Sequence, residues 1–326
     1  LGVSIGLAMI DENCHDSNAI LSAADAACFI AKDKGRNRIW IHHLDDEDVV
    51  QRHGEMEWAS KINTALENDR FLLYYQKVQP VTESDGRSYY EFLLRMVNEA
   101  GEIIAPMAFI PAAERYGTMA AVDRWVVHRV LDWLGKNSTR VKSNDVYSVN
   151  LSGQSLCDDG FLQYCINELD NSRINPQQLC FEITETAAIS NWSHASQFVA
   201  ALKSRGCQFA LDDFGSGMSS FAYLKNLPVD YIKIVGAFVS DMLSDPVDQV
   251  MVNAINQIGQ VMGIKTIAEF VENEDILNLL KEMQVDYAQG FGIHVPEALE
   301  PLNFKVHYLS EDKFKISCLF LNLLPI

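Results

Sequence analysis

The stretch FALDDFGSGMSSFAYLKNLPVDYIKI, residues 209–234, decides how the rest of the chain is read. Two apolar runs, Phe209–Leu211 and Tyr231–Ile234, bracket a segment that opens on a glycine-rich stretch with Gly215 and Gly217. The first run ends in adjacent carboxylates, Asp212 and Asp213. Neighbouring acids repel, so leaving a strand this way costs stability unless something positive lies between them. The two glycines give the following segment the conformational freedom to close over a site. Asp213-Phe214-Gly215 spells the kinase D-F-G, yet no H-R-D and no G-x-G-x-x-G loop accompany it. Walker A, G-x-S-x-G and H-E-x-x-H sequences are also absent.

Outward from this stretch the chain alternates. Strand-like runs fall at 71–78, 89–97, 146–152, 179–185, 208–214, 231–235, 265–271 and 287–293, and helical spacing fills 118–135, 159–170, 192–205, 247–262 and 273–283. Eight apolar runs with interleaved helices over about 240 residues predict an α/β fold, a closed (β/α)8 barrel, with a doubly wound open sheet as the alternative that periodicity does not exclude. Ahead of this region, residues 1–42 read as strand, loop, helix ended by Gly35, and strand, too little to form a core alone. Between Leu44 and Leu66 the pattern is acidic and helical, with Trp58, Ile62 and Leu66 on one stripe.

Bulk properties narrow the function. The 326 residues are 48% hydrophobic and 21% charged, the composition of a globular protein, and the net charge of −18 argues against binding polymeric nucleic acid. The seven cysteines show no metal-ligand or disulfide spacing, which points to a reducing, cytoplasmic setting. No run of about 18 apolar residues occurs, so no membrane contact is expected of this stretch. Beginning at Leu1 without a basic leader, the chain reads as a fragment rather than a secreted precursor.

Seven of the apolar runs carry a polar residue that a buried strand should lack: Glu91, Asn150, Glu182, Asp212 with Asp213, Lys233, Glu269 and Gln289. Singly, each has an ordinary explanation as a cap, a salt bridge or a solvated tip. Together they call for a common partner, because charge beside an apolar strand is costly unless paired or metal-bound. In a β/α barrel the strands' C-terminal ends converge on one mouth. Five carboxylates and an amide oxygen there suit hard cations, Mg²⁺ or Mn²⁺, and adjacent aspartates can serve two ions about 3.5–4 Å apart. Lys233 would then deprotonate or orient the attacking water, if its neighbours lower its pKa.

The series YYEFLLRM, SVNLS, FEITET, LDDFGSGMSSFAYLKNLPVDYIKI, TIAEFVE and YAQGFGIHVP resembles the motif series of the EAL-type phosphodiesterases of bacterial signalling, over residues 57–305. The resemblance implies a TIM-like barrel with an antiparallel first strand, and hydrolysis of cyclic di-GMP to linear pGpG with two Mg²⁺ or Mn²⁺ ions. It implies that Glu91, Asn150, Glu182 and Asp212 hold one metal, and that Asp212 and Asp213 hold the second, with Glu269 completing the cluster. Lys233 matches a water-activating lysine, Gln289 a water-positioning residue, and Glu185 the acid that steadies the loop after the aspartates. Gln76 and Arg95 match contacts to guanine and phosphate. A homodimer is implied as well.

Residues 1–42 resemble the end of a GGDEF diguanylate cyclase domain through SAADAACFIAKDKGRNRI, but the G-G-[DE]-E-F loop is missing, so no cyclic di-GMP synthesis is expected. Residues 43–56 then read as a linker helix, and the tail 306–326 fits nothing familiar. Two departures from the EAL pattern stand out. Phe92 replaces the alanine of the name-giving motif, a packing change. Val235 replaces an aspartate beside the lysine, and that loss keeps open a second possibility, a catalytically weak domain that acts as a cyclic di-GMP receptor.

Overall fold

A computed structural model of the chain describes residues 3, 5–8, 39–42, 58–81, 87–139, 141–216 and 221–300. The chain divides into two compact units, Leu1–Thr64 and Ala65–Ile326. In the first, β1 (Ile5–Ala8) pairs with β2 (Ile39–His42) in parallel, Ile5 opposite Ile39 through Ala8 opposite His42. The helix expected before Gly35, the linker helix 43–56 and the tail 306–326 lie outside the described residues; residues 58–67 are helical.

The second unit contains β3 (Phe71–Pro80), β4 (Tyr89–Val97), β5 (Ile103–Ile104), β6 (Val146–Leu151), β7 (Leu179–Thr184), β8 (Gln208–Phe214), β9 (Tyr231–Ile234), β10 (Lys265–Ala268), β11 (Tyr287–Ala288) and β12 (Glu297–Ala298). Strands β4, β6, β7, β8, β9, β10 and β11 are neighbours in that order and all parallel. The first strand, β3, is antiparallel to both β4 and β11 and so closes the ring. The sheet is therefore a closed eight-stranded α/β barrel with one antiparallel strand, and the open doubly wound alternative is excluded.

Helices cover 106–115, 119–136, 161–171, 192–203, 246–262 and 274–282, most within two residues of the sequence expectation. Their ends follow local chemistry. The Asp245 side chain accepts from Val247 N ahead of Pro246, and Gly263 ends the same helix at φ 71°. The short elements β5, β12 and the helices at 153–157, 185–190 and 236–241 escape periodicity because they are too short to repeat it.

The expected strands at 265–271 and 287–293 run too long; they stop at Ala268 and Ala288. Phe270 turns into the left-handed region at φ 56°, which an extended strand cannot contain. Its ring then lies on the backbone of Gly236, where an added Cβ would stand 2.0 Å from Phe270 Cδ2. Gly236→Ala is accordingly expected to destabilise the barrel by about 1–3 kcal/mol, the usual cost of overpacking. Paired urea melts of Gly236→Ala and Gly236→Ala/Phe270→Gly check this, since removing the ring should restore the loss.

Two rings of side chains fill the barrel. The lower is a buried cluster with one residue from each barrel strand: Val78, Tyr89, Val146, Cys180, Ala210, Tyr231, Ile267 and Tyr287. Side chains two apart on a strand share a face. Two residues onward along each parallel strand, and two back along β3, stand Gln76, Glu91, Ser148, Glu182, Asp212, Lys233, Glu269 and Gln289. An apolar floor thus carries a wholly polar ring at the strands' C-terminal end, which is where the barrel architecture presents its functional side chains.

Candidate functional site

The pairing of β8 with β9 explains the two adjacent aspartates. Leu211 pairs with Ile232, but the next pair is Phe214 with Ile234, so Asp212 and Asp213 together oppose the single residue Lys233. This is a β-bulge, two residues against one. In a regular strand successive side chains point to opposite faces. The bulge, with Asp213 at φ 53°, brings carboxylate oxygens of Asp212, Asp213 and Glu269 within 4.8 Å of one another instead.

At the centre stands Lys233, 1% exposed. Its Nζ meets four carboxylates: Glu182 Oε2 at 2.7 Å, Glu269 Oε1 at 2.8 Å, Asp212 Oδ1 at 3.2 Å and Glu91 Oε2 at 3.3 Å. Burial works against its charge, yet the carboxylates of Asp212, Glu182, Glu269 and Glu91 outweigh burial and hold the ammonium's pKa well above its ordinary value. The condition set for a water-deprotonating lysine, a pKa lowered by its neighbours, is not what these carboxylates produce. With no added cation among the acids, Lys233 is held as an ammonium paired to four carboxylates.

The acids divide in their response. Burial raises Glu91, but Lys233 and the amides of Gln289 and Asn150 bring it below the ordinary range. Glu182 is raised to about 7 by burial and by the charge of Glu91. Asp213 is raised to about 7 by burial and by Asp212. Burial also lifts Glu269 well above its usual value. Four acids therefore compete for one ammonium and the fifth, Asp213, lies beside them, a shortage of positive charge that suits added cations.

Amides hold the rest of the ring. Asn150 Nδ2 donates to Glu91 Oε1 at 2.6 Å, and Gln289 Nε2 donates to Glu91 Oε2 at 2.6 Å and to Gln76 Oε1 at 3.0 Å. Gln76 Nε2 in turn donates to His294 O at 2.7 Å. Glu185 belongs to no strand: it opens the helix 185–190, accepting from Gly215 N at 3.0 Å and Tyr223 Oη at 2.6 Å, and so ties both flanks of the segment after the aspartates. Arg95, on the same face of β4 as Glu91, donates to Leu94 O and sits 5.2 Å from the Tyr74 ring centroid.

The structure thus brings Glu91, Asn150, Glu182, Asp212, Asp213, Lys233, Glu269, Gln289 and Gln76 into one connected site, with Glu185 at its loop. As donors for hard cations these oxygens fit. Asp212, Asp213 and Glu269 already converge as a cation would require. Glu91, Glu182 and Asp212 converge on the lysine, and among the described residues the buried Glu182 Oε2 and Asp212 Oδ1 accept no well-formed hydrogen bond and face its ammonium.

Sequence reasoning passed over two supporting residues. Tyr89 Oη donates to Glu182 Oε1 at 3.2 Å from the ring below. Asp123, buried on the helix 119–136, accepts from Ser152 N, Ser152 Oγ and Ser155 Oγ at 2.9, 2.8 and 2.6 Å, fixing the turn just after Asn150. Tyr89 reads as strand core and Asp123 as one polar position on a helix; the spacing Tyr-x-Glu at 89–91 is the signal for the first.

The EAL domain model matches residues 59–296. The chain is 40% identical over 299 residues to a Shewanella oneidensis protein named cyclic di-GMP phosphodiesterase PdeB, covering 92% of this chain and 35% of that one. It is 35% identical over 240 residues to cyclic di-GMP phosphodiesterase PdeF of Escherichia coli, covering 74% of this chain and 32% of that one. It spans about a third of the length of these relatives. Among solved structures, the Pseudomonas aeruginosa FimX EAL domain bound to c-di-GMP superposes with TM-score 0.69 at 31% identity, over 74% of this chain and 96% of that one. The P. aeruginosa MucR phosphodiesterase in complex with c-di-GMP gives 0.70 at 27%, over 74% and 98%. With the barrel, its antiparallel strand and the matched motifs in agreement, the chain belongs to the EAL domain family.

Proposed function

We propose that the barrel is a metal-dependent phosphodiesterase that hydrolyses cyclic di-GMP to linear pGpG in the bacterial cytoplasm. The observation that carries this reading is the polar ring itself, a buried to half-buried set of oxygens with too little positive charge of its own. Glu91, Asn150, Glu182 and Asp212 would hold one Mg²⁺ or Mn²⁺, and Asp212, Asp213 and Glu269 a second. When bound, such ions polarise a phosphoryl oxygen and make water a nucleophile at neutral pH. Lys233, held as an ammonium, orients that water and offsets developing negative charge. Gln289 helps to position the water, Glu185 steadies the loop after the aspartates, and Gln76 and Arg95 contact guanine and phosphate. The named activities of PdeB and PdeF, and the c-di-GMP bound to FimX and MucR, support the choice of substrate.

In this reading residues 57–305 form the EAL domain and residues 1–42 the end of a GGDEF domain, joined by a helix over 43–56. The tail 306–326 has no assigned role. The match to PdeB, longer than the EAL model's 59–296, supports a domain ahead of the barrel. A homodimer is part of the proposal. No helix among the described residues is long and apolar enough to cross a membrane.

A second reading, a cyclic di-GMP receptor with weak turnover, rests on Val235. It is buried, directly follows β9, and caps the helix 236–241 without a side-chain hydrogen bond. Incubation with cyclic di-GMP and Mn²⁺, with the linear product followed by chromatography, separates the two. The enzyme turns the substrate over and loses turnover on Glu91→Ala; tight binding without product in the wild type favours the receptor.

A further inference from the structure

Beneath the acids lies a floor of three tyrosines, each two residues before a side chain of the polar ring: Tyr89 before Glu91, Tyr231 before Lys233, Tyr287 before Gln289. Tyr89 and Tyr231 pack edge to face with centroids 5.2 Å apart, and Tyr287 lies 6.3 Å and 6.1 Å from them. As rings they fill the barrel, and phenylalanine would do that equally well. Their hydroxyls differ. Tyr231 Oη donates to Gln208 Oε1 at 2.9 Å, two residues before the ring residue Ala210 and so away from the acids. Tyr89 Oη donates to Glu182 Oε1 at 3.2 Å, inside the site.

Glu182 is 1% exposed, so both of its oxygens need protein partners. One is taken by the phenol from below, while Oε2 faces the Lys233 ammonium at 2.7 Å. A carboxylate tethered at one oxygen cannot swing about its last bond without losing that hydrogen bond. We propose that Tyr89 is a positioning residue for the cation site: its hydroxyl fixes the rotation of the Glu182 carboxylate so that Oε2 is presented to the cation side of the cage. This rests on the reading above in which Glu182 is a metal ligand. Partners that orient a ligand from behind typically set metal affinity by about 10–100-fold.

Tyr89→Phe keeps the ring and removes only the hydroxyl; Tyr231→Phe makes the same change where no acid is touched. Free Mn²⁺ is followed by its paramagnetic resonance signal as each protein is titrated, with no substrate present. Melting temperature and the Mn²⁺ dependence of cyclic di-GMP turnover are measured alongside. Tyr89→Phe is expected to bind Mn²⁺ about tenfold more weakly and to need about tenfold more for half-maximal turnover, whereas Tyr231→Phe binds as the wild type does. Equal Mn²⁺ binding by Tyr89→Phe and wild type overturns the proposal, and so does an equal weakening in Tyr231→Phe, which would make the effect one of floor packing. A wild type that binds no Mn²⁺ overturns the metal reading of the whole cage, and the role of Tyr89 with it.

Discussion

Lys233→Met is expected to destabilise the metal-free protein by about 3–5 kcal/mol, the cost of removing one partner from a buried ion pair. Methionine matches the length of the lysine stem, so little of the loss is packing. What is lost is the charge shared by Glu91, Glu182, Asp212 and Glu269, all within 3.3 Å of the ammonium. Turnover should fall by about 10²–10³-fold, as when a buried electrostatic partner of the reacting groups is removed. The variant has a second signature. A divalent cation bound among the same acids supplies the missing charge, and a ligand at about 100 times its dissociation constant adds about 2.7 kcal/mol to the folded state. Thermal melts in EDTA and in excess Mn²⁺ should therefore differ more for Lys233→Met than for wild type. A variant that melts like wild type in EDTA would show that the acids do not depend on the lysine.

How much of this was legible beforehand follows from what each residue must do locally. A polar residue in an apolar run is visible in one dimension, and Glu91, Asn150, Glu182, Asp212, Lys233, Glu269 and Gln289 all stand out for that reason. Barrel closure was not visible, because it depends on β3 meeting both β4 and β11, a partnership between distant segments that periodicity does not encode. Direction was hidden too: the antiparallel course of β3 came from resemblance alone. Ser148, in the same polar ring, was silent because serine is unremarkable in a strand. Tyr89 was silent because an aromatic residue there reads as core, and its hydroxyl matters only once Glu182 is placed above it.

The direction of the shift at Lys233 is hidden in the sequence for a related reason. A buried lysine alone would have a lowered pKa, and only the count of carboxylates around it reverses the sign. The bulge at Asp212–Asp213 is subtler still. The sequence showed two acids side by side, but their joint use requires one of them to leave the pleat, and nothing in the residue types says which. The structure assigns that turn to Asp213 at φ 53°, a conformation that aspartate and asparagine tolerate better than most residues.

That tolerance makes Asp213→Asn a clean test of whether the cage is strained by its own charge. The carboxamide keeps the shape and the backbone of the bulge but cannot ionise. In the wild type Asp213 rises from an ordinary 3.8 to about 7 on folding, through burial and the charge of Asp212, and Glu182 rises from 4.5 to about 7. A carboxyl raised in this way holds its proton more tightly when folded. Its contribution to stability is complete below the unfolded value, near 4, and is lost as pH climbs through the folded one. Metal-free wild type is therefore expected to lose stability from pH 5 to pH 8. Asp213→Asn should lose less and be the more stable protein at pH 8, while its turnover drops by at least the about 10–100-fold that loss of an outer partner of a metal site costs. Saturating Mn²⁺ should abolish the decline in the wild type, because a cation among the acids favours their ionised form. Melts at four pH values with EDTA or Mn²⁺ decide the matter. A metal-free wild type equally stable at pH 5 and pH 8 would mean that the acids ionise without penalty, and the shortage of positive charge on which the cation site rests would not exist.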